Sequence, residues 1–177
     1  LVHLRPTSDV EAAYAEKVLA DMAAFARAQL ERLDENLATL RENALRLHQA
    51  LEGTPALIRP VVPEGHGHNW YNYTIRFDMD ALGHAEDAAA FRDRIVWALN
   101  AEGVETGVWQ GWPVPEMTAI AAKNAYGRGC PWKCTEASPE YSLDQYPVAL
   151  RHCDWHTGMT MPLRPPNGLE LAERLAE

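Results

Sequence analysis

Trp109, Gln110 and Trp112 are the residues with the clearest reach toward a ligand. They follow a short β-prone run, Val104, Thr106 and Val108, within the segment 101–115. Large aromatics in a loop after a strand are common in small-molecule sites. The same rings also suit a cover over a small core, and spacing alone leaves both readings open. Cys130 and Cys134, with Cys153 and either His152 or His156, hold the ligand types of a Cys3His zinc site. Their spacing is not that of the usual paired knuckles, so separate loop and core thiols compete with zinc. His66 and His68, in a Gly-rich turn, read as solvent-exposed more simply than as a metal pair. No metal ligand is assigned from these patterns.

The chain has no nucleophile elbow, no phosphate-binding glycine loop and no HExxH. Of its three lysines, Lys17 falls in a helical pattern, and Lys123 and Lys133 in an irregular stretch. None sits in an apolar, strand-bounded pocket of the kind that lowers a lysine pKa. A complete catalytic constellation cannot be assembled, and no catalytic residue is assigned.

The elements that position these residues are legible from periodicity. Ser8 and Glu11 have the form of a capping box. Leu30, Leu33, Leu37, Leu40, Ala44, Leu47 and Leu51 then recur three and four apart, one stripe of a helix that Gly53 and Pro55 stop. One helix over this whole span is unusually long, and a break is placed near Asp21. Residues 12–19 resemble residues 23–30 at an offset of about three helical turns, which would keep a buried face in phase. Leu57 and Ile58 form a short strand. Residues 70–77 read as the best strand, with Tyr71, Tyr73, Ile75 and Phe77 on one face. A helix over 86–102 turns Phe91, Ile95, Ala98 and Leu99 inward, and Gly103 suits the left-handed position past its end. Val104 to Val108 is then a strand. Residues 118–142 are irregular and too long for a plain connection. Asp144 caps a helix carrying Tyr146, Val148 and Leu150, with Pro147 in its first turn. Residues 159–163 are extended, and Asn167 caps a last helix. The expected fold is α+β: a small sheet with helices on one side and one long N-terminal helix as its spine.

A chain of 177 residues makes one domain or a little more and buries a core without staples. Its net charge of -9 argues against a nucleic-acid surface, which needs excess Lys and Arg. No apolar run is long enough to span a membrane, and no signal peptide is visible. The first residue is Leu1 rather than Met, which points to a fragment. Three cysteines do not suggest a disulfide framework, and a reducing cytoplasm is the default.

Taken in order, the segments resemble a known family. Residues 27–35, Arg-Ala-Gln-Leu-Glu-Arg-Leu-Asp-Glu, resemble the helix that opens the C-terminal half of the DegT/DnrJ/EryC1/StrS aminotransferases. These are pyridoxal-phosphate enzymes acting mostly on keto sugars and cyclitols. Residues 41–51 continue that helix, 70–77 are similar to the family's aromatic strand, and 91–95 and 101–115 to its next helix and Gly-Val-x-Thr-Gly-Val turn. Residues 146–149 and 161–167 complete a series that agrees in order and spacing from Met22 onward.

The departures bear on the substrate. Trp109 and Gln110 replace the family's His and Tyr, Pro115 ends a motif that usually closes on His, and Tyr71 stands where the aromatic strand has His. His3-Leu4-Arg5 stands where the family tends to have Asn-Tyr-Arg, near the cofactor phosphate of the partner subunit. The resemblance therefore implies that Tyr71, Trp109, Gln110 and Trp112 wall the acceptor site, and that His3 and Arg5 serve the cofactor phosphate. It implies a fold like the C-terminal domain of fold-type I pyridoxal-phosphate aminotransferases. Residues 1–52 would form the connecting segment and long helix, and 53–177 the small domain. The family's large N-terminal domain supplies the cofactor lysine, so this chain alone would not transaminate. A homodimer and a small-molecule sugar or cyclitol substrate are the implied partners. Two rival readings remain: a non-catalytic ligand- or partner-binding module derived from the family, and a zinc-stabilised interaction domain.

Overall fold

The computed structural model describes residues 9–137 and 139–177. Two helices lead, α1 (Asp9–Glu31) and α2 (Leu33–Ala50). The break expected near Asp21 lies instead at Arg32, where ψ rises to 0°. Asp34 and Glu35 then occupy the first turn of α2, where acids favour the positive end of the helix dipole. Ala-rich α1 has no such signal at Asp21 and runs through it. The proposed capping box rests on Ser8, outside the described residues.

The leucine stripe is real in its second half only. Leu40, Ala44, Leu47 and Leu51 are buried in the core, whereas Leu30, Leu33 and Leu37 are exposed. The core gathers where α2 meets the sheet and α6 (Leu169–Arg174). Asn43, at 1% exposure, sits in that junction. Its Nδ2 donates to the Leu163 carbonyl at 3.0 Å and to the Asn167 carbonyl at 2.9 Å. Asn167 is not the cap of α6. Gly168 holds that position, and the Asn167 amide donates back to the Pro162 carbonyl at 3.1 Å.

The sheet has three antiparallel strands in the order β1 (Leu57–Ile58), β2 (Tyr73–Phe77), β3 (His156–Met159). Tyr73, Ile75 and Phe77 are buried and Thr74 and Arg76 half-buried, a period-2 pattern. Tyr71 does not join that face: it is exposed, and the strand begins only at Tyr73. Trp70 is the reason. It is buried in the left-handed region at φ 55°, its N–H donating to His68 Nδ1 at 2.8 Å, and this kink breaks the alternation. β3 was expected later, as an extended 159–163; it ends where that span begins.

Helix α3 (Ala88–Ala101) sets Phe91 and Ile95 against the core, leaves Ala98 exposed, and ends at Gly103 with φ 91°. The strand expected over 104–108 is absent. Only Gly107 pairs, in a single bridge with Gly158 on the free edge of β3. Asn100 takes the place of a ladder by donating to the Thr106 carbonyl at 2.8 Å. Among its described residues the segment 118–142 is mostly irregular, with one short α-helix, α4 (Thr118–Ala121), and a 3-10 turn, Trp132–Cys134. Pro147 opens α5 (Pro147–Trp155) with Tyr146 as its N-cap. Asp144 lies earlier, in the 3-10 turn Leu143–Gln145, bonded to Ser142 rather than capping α5. The class is α+β, as the sequence implied.

Candidate functional site

The loop after the Gly107–Gly158 bridge is held from below by the sheet edge. The two bridged residues exchange bonds, Gly107 N–H to the Gly158 carbonyl at 3.1 Å and the reverse at 2.9 Å. The Thr106 and Thr157 hydroxyls meet at 2.7 Å. Past the bridge, His156 supports the loop. Only 1% exposed, it donates from Nδ1 to the His152 carbonyl at 2.6 Å. That bond leaves Nε2 as the acceptor for the Gln110 N–H at 3.4 Å. Burial holds the His156 pKa below the ordinary histidine value; the bond to His152 opposes this and the Arg92 charge reinforces it. The His152 ring stacks on His156 with centroids 4.2 Å apart. Its pKa is lowered too, by burial first, then by the His156 and Arg76 charges.

Trp109 and Trp112 project into solvent, 61% and 68% exposed. Together with Gln110 they wall a surface cleft of about 860 Å³. The same cleft is also lined by four charged side chains, Arg92, Asp93, Glu116 and Asp154. Arg92 is buried, donating to the Cys153 carbonyl and, from Nε, to Asp93 at 2.9 Å. Neither the two-tryptophan wall nor the carboxylates need a partner chain to form. Indole rings and hydrogen-bonding groups in one cleft can receive a ligand with both apolar C–H surface and polar substituents.

Tyr71 is brought to Trp109 but not into the same cleft. The two rings meet edge to face at 6.1 Å. Behind them Tyr71 lines a separate groove of about 600 Å³ with Arg32, Asn36 and Arg164. The Arg164 guanidinium lies 4.6 Å above the Tyr71 ring, a cation–π contact. His3 and Arg5 lie outside the described residues.

Other pairs considered from sequence go elsewhere. His68 accepts from Trp70 N–H and packs on its ring at 4.6 Å, while His66 bonds the Glu64 carbonyl at 3.0 Å. Cys130 and Cys134 are in contact, but Cys153 is buried in α5. Among the described residues no three His, Cys, Asp or Glu side chains converge as metal ligands, so the Cys3His set is not brought together.

Arg92, Glu116 and Asp154 were missed from sequence. Arg92 left a signal: it falls four residues after buried Ala88 and three before Ile95, on the inward stripe of α3. A charge on that stripe must find partners or a site.

The sequence model of the DegT/DnrJ/EryC1/StrS aminotransferase family matches residues 7–147. The chain belongs to this family. Solved structures agree in fold. DesV of S. venezuelae, in complex with a ketimine intermediate, is 23% identical with a TM-score of 0.61, over 87% of this chain and 33% of its own. The aminotransferase TlmJ from Streptoalloteichus hindustanus is 24% identical at TM-score 0.59, over 85% and 32%. DesI, solved in the presence of its TDP-sugar product, is 17% identical at TM-score 0.57, over 83% and 31%. This family member thus spans about a third of the length of the solved structures it matches.

Family membership raises pyridoxal phosphate, and its fit can be tested on the lysines. Lys17 is exposed on α1, Lys133 is exposed, and Lys123 pairs with Glu140 at 2.9 Å. None lines the Trp cleft or the Tyr71 groove. The described residues therefore offer no lysine suited to the cofactor aldehyde, and no step through that group is assigned to them. Among the described residues no helix is long and apolar enough to cross a membrane.

Proposed function

We propose that this chain is the C-terminal part of a pyridoxal-phosphate-dependent aminotransferase that acts on a keto sugar or cyclitol with an amino-acid donor. The observation that carries the reading is the Trp109–Gln110–Trp112 wall of a cleft that charged side chains also line, in a chain matched by the family over residues 7–147. In the parent the cofactor supplies the electron sink and carries the amino group. The residues of this chain shape the acceptor side: Trp109 and Trp112 bind the ring face, Gln110 orients hydroxyls, and Tyr71 backs Trp109. His3 and Arg5 serve the cofactor phosphate of a partner subunit in a homodimer. The lysine and most phosphate contacts belong to an N-terminal domain beyond this chain, so the chain alone is inactive. The parent would work in the reducing cytoplasm, the default for a chain with three cysteines and no disulfide framework.

The surface of α1 supports the missing domain. Tyr14, Leu19, Met22, Phe25 and Leu30 are exposed along it, more apolar surface than a free helix normally presents. The domain division at residue 52 belongs to the same proposal.

The test uses the full-length enzyme with cofactor, glutamate or glutamine, and a panel of keto sugars and ketocyclitols. Trp109→Ala and Trp112→Ala should each raise KM for the acceptor about tenfold, the worth of one stacked ring, while leaving KM for the donor unchanged. Amino transfer with KM for every acceptor indifferent to both variants would overturn the wall. Absence of cofactor-dependent transfer, with sugar binding retained by the chain, would favour the binding-module reading.

A further inference from the structure

We propose that Cys130 and Cys134 form a reversible dithiol–disulfide site, modified by exchange with a small disulfide of the glutathione class. The two Sγ atoms lie 2.7 Å apart. A folded turn brings them there: Cys130 N–H bonds the Gly127 carbonyl at 3.0 Å, Lys133 N–H the Gly129 carbonyl at 2.9 Å, and Cys134 N–H the Pro131 carbonyl at 2.9 Å. The turn is tied down at both ends. Gly129 N–H donates to Asn124 Oδ1 at 2.8 Å, and Trp132 Nε1 to the Tyr141 hydroxyl at 2.9 Å. Gly129 suits this turn because its φ of 80° lies in the left-handed region that side chains disfavour.

Access is graded. Cys134 is exposed, Cys130 half-buried, and Cys153 buried. Exchange therefore starts at Cys134. Its thiolate attacks one sulfur of the glutathione disulfide and releases one glutathione thiolate. The Cys130 thiolate then attacks Cys134 Sγ and expels the second glutathione. The protein loses two hydrogens and two electrons, and the glutathione disulfide gains them as two thiols. Neighbouring Cys130 raises the Cys134 pKa, so the first step quickens with rising pH. Cys153 stays reduced because it is buried in the core, and burial pushes its thiol pKa up. The site is independent of the proposed transamination. It lies within the excursion whose two ends, Met117 and Leu143, both border the Trp cleft.

The test incubates the 177-residue chain in a glutathione redox buffer, then quenches, alkylates and digests it with trypsin. Cleavage after Arg128, Lys133 and Arg151 separates the cysteines into peptides 129–133 and 134–151, which only the Cys130–Cys134 disulfide holds together. The linked pair should exceed glutathione adducts by about tenfold or more, because the contacting thiol outcompetes millimolar glutathione. In urea that excess should fall at least about tenfold, since the turn is lost. Cys130→Ser should convert the product to a stable glutathione adduct on Cys134. Persistent adducts in the native chain, unreacted thiols, interchain links or an unchanged ratio in urea would each overturn the proposal.

Discussion

His156→Leu tests how the aromatic loop is supported. At pH 7.5 the variant loses the 2.6 Å bond to the His152 carbonyl and the longer one from Gln110 N–H. The His152 carbonyl keeps one partner, the backbone N–H of residue 156 that caps α5, and the Gln110 N–H is near water. The cost is therefore one good hydrogen bond and a weak one, about 1–2 kcal/mol, without a large burial penalty. For a chain of this size that lowers Tm by roughly 2–8 °C. The pH dependence supplies the sharper criterion. His156 has a folded pKa below its unfolded value near 6.5. Above pH 6.5 both states are neutral and the contribution is constant. As pH falls below 6.5 the unfolded chain takes a proton that the folded chain resists, so stability falls until the folded pKa is reached. The ceiling on that loss at pH 5.5 is about 1.4 kcal/mol per histidine. His48 and His152 act in the same direction, His48 through burial and then the Arg59 charge. His156→Leu removes one of the three contributions, so its Tm deficit should shrink between pH 7.5 and pH 5.5. Melts followed by tryptophan fluorescence at the two pH values measure this. An equal deficit at both would refute the claim that His156 is held neutral beneath the loop.

Further substitutions probe other parts of the frame. Asn43→Ala strips two hydrogen bonds from buried carbonyls of the C-terminal segment and should cost about 2–4 kcal/mol, seen as a lower urea midpoint with unchanged slope. Gly158→Ala puts a Cβ about 2.3 Å from Asn72 Oδ1 and should cost about 1–3 kcal/mol in the same assay. Adding Asn72→Ala should recover most of that loss, and failure to recover would place the strain in the backbone instead. Trp112→Ala, at an exposed ring, should leave the urea midpoint within about 0.5 kcal/mol of the parent chain; a larger loss would make this indole a core cover rather than a ligand wall.

What the sequence disclosed follows physical range. The stripe at Leu40, Ala44 and Leu47 is a local periodicity, and it is buried as expected. The β2 alternation at Tyr73, Ile75 and Phe77 is equally local. Tyr71 breaks from that face because of Trp70, whose left-handed backbone is held by His68 and by stacking on Tyr73 at 5.8 Å. No propensity scale anticipates a buried Trp there. The segment 104–108 failed as a strand for a related reason: β-forming residues do not choose their ladder partner. The neighbouring edge of β3 offers Gly158, and only Gly107 approaches it.

The candidate site divides the same way. Trp109, Gln110 and Trp112 are within four positions of each other, so their meeting in one cleft needed no tertiary information. Of the charged groups in the cleft, Glu116 follows the Trp loop directly, whereas Arg92 and Asp93 come from α3 and Asp154 from α5, and the sequence separation between Arg92 and Asp154 hides that convergence. Once both halves are in place, the distribution of exposed apolar side chains becomes informative. Among the described residues the core is formed by α2, the sheet, α3, α5 and α6, and no α1 side chain is part of it. Tyr14, Leu19, Met22 and Phe25 on α1 are therefore not needed for this chain to fold, and neither are the indoles of Trp109 and Trp112. Exposed apolar surface that folding does not use is the mark of contact with something else. Its split into a helical face and an aromatic loop is what the proposed N-terminal domain and the proposed ring-shaped acceptor would each require.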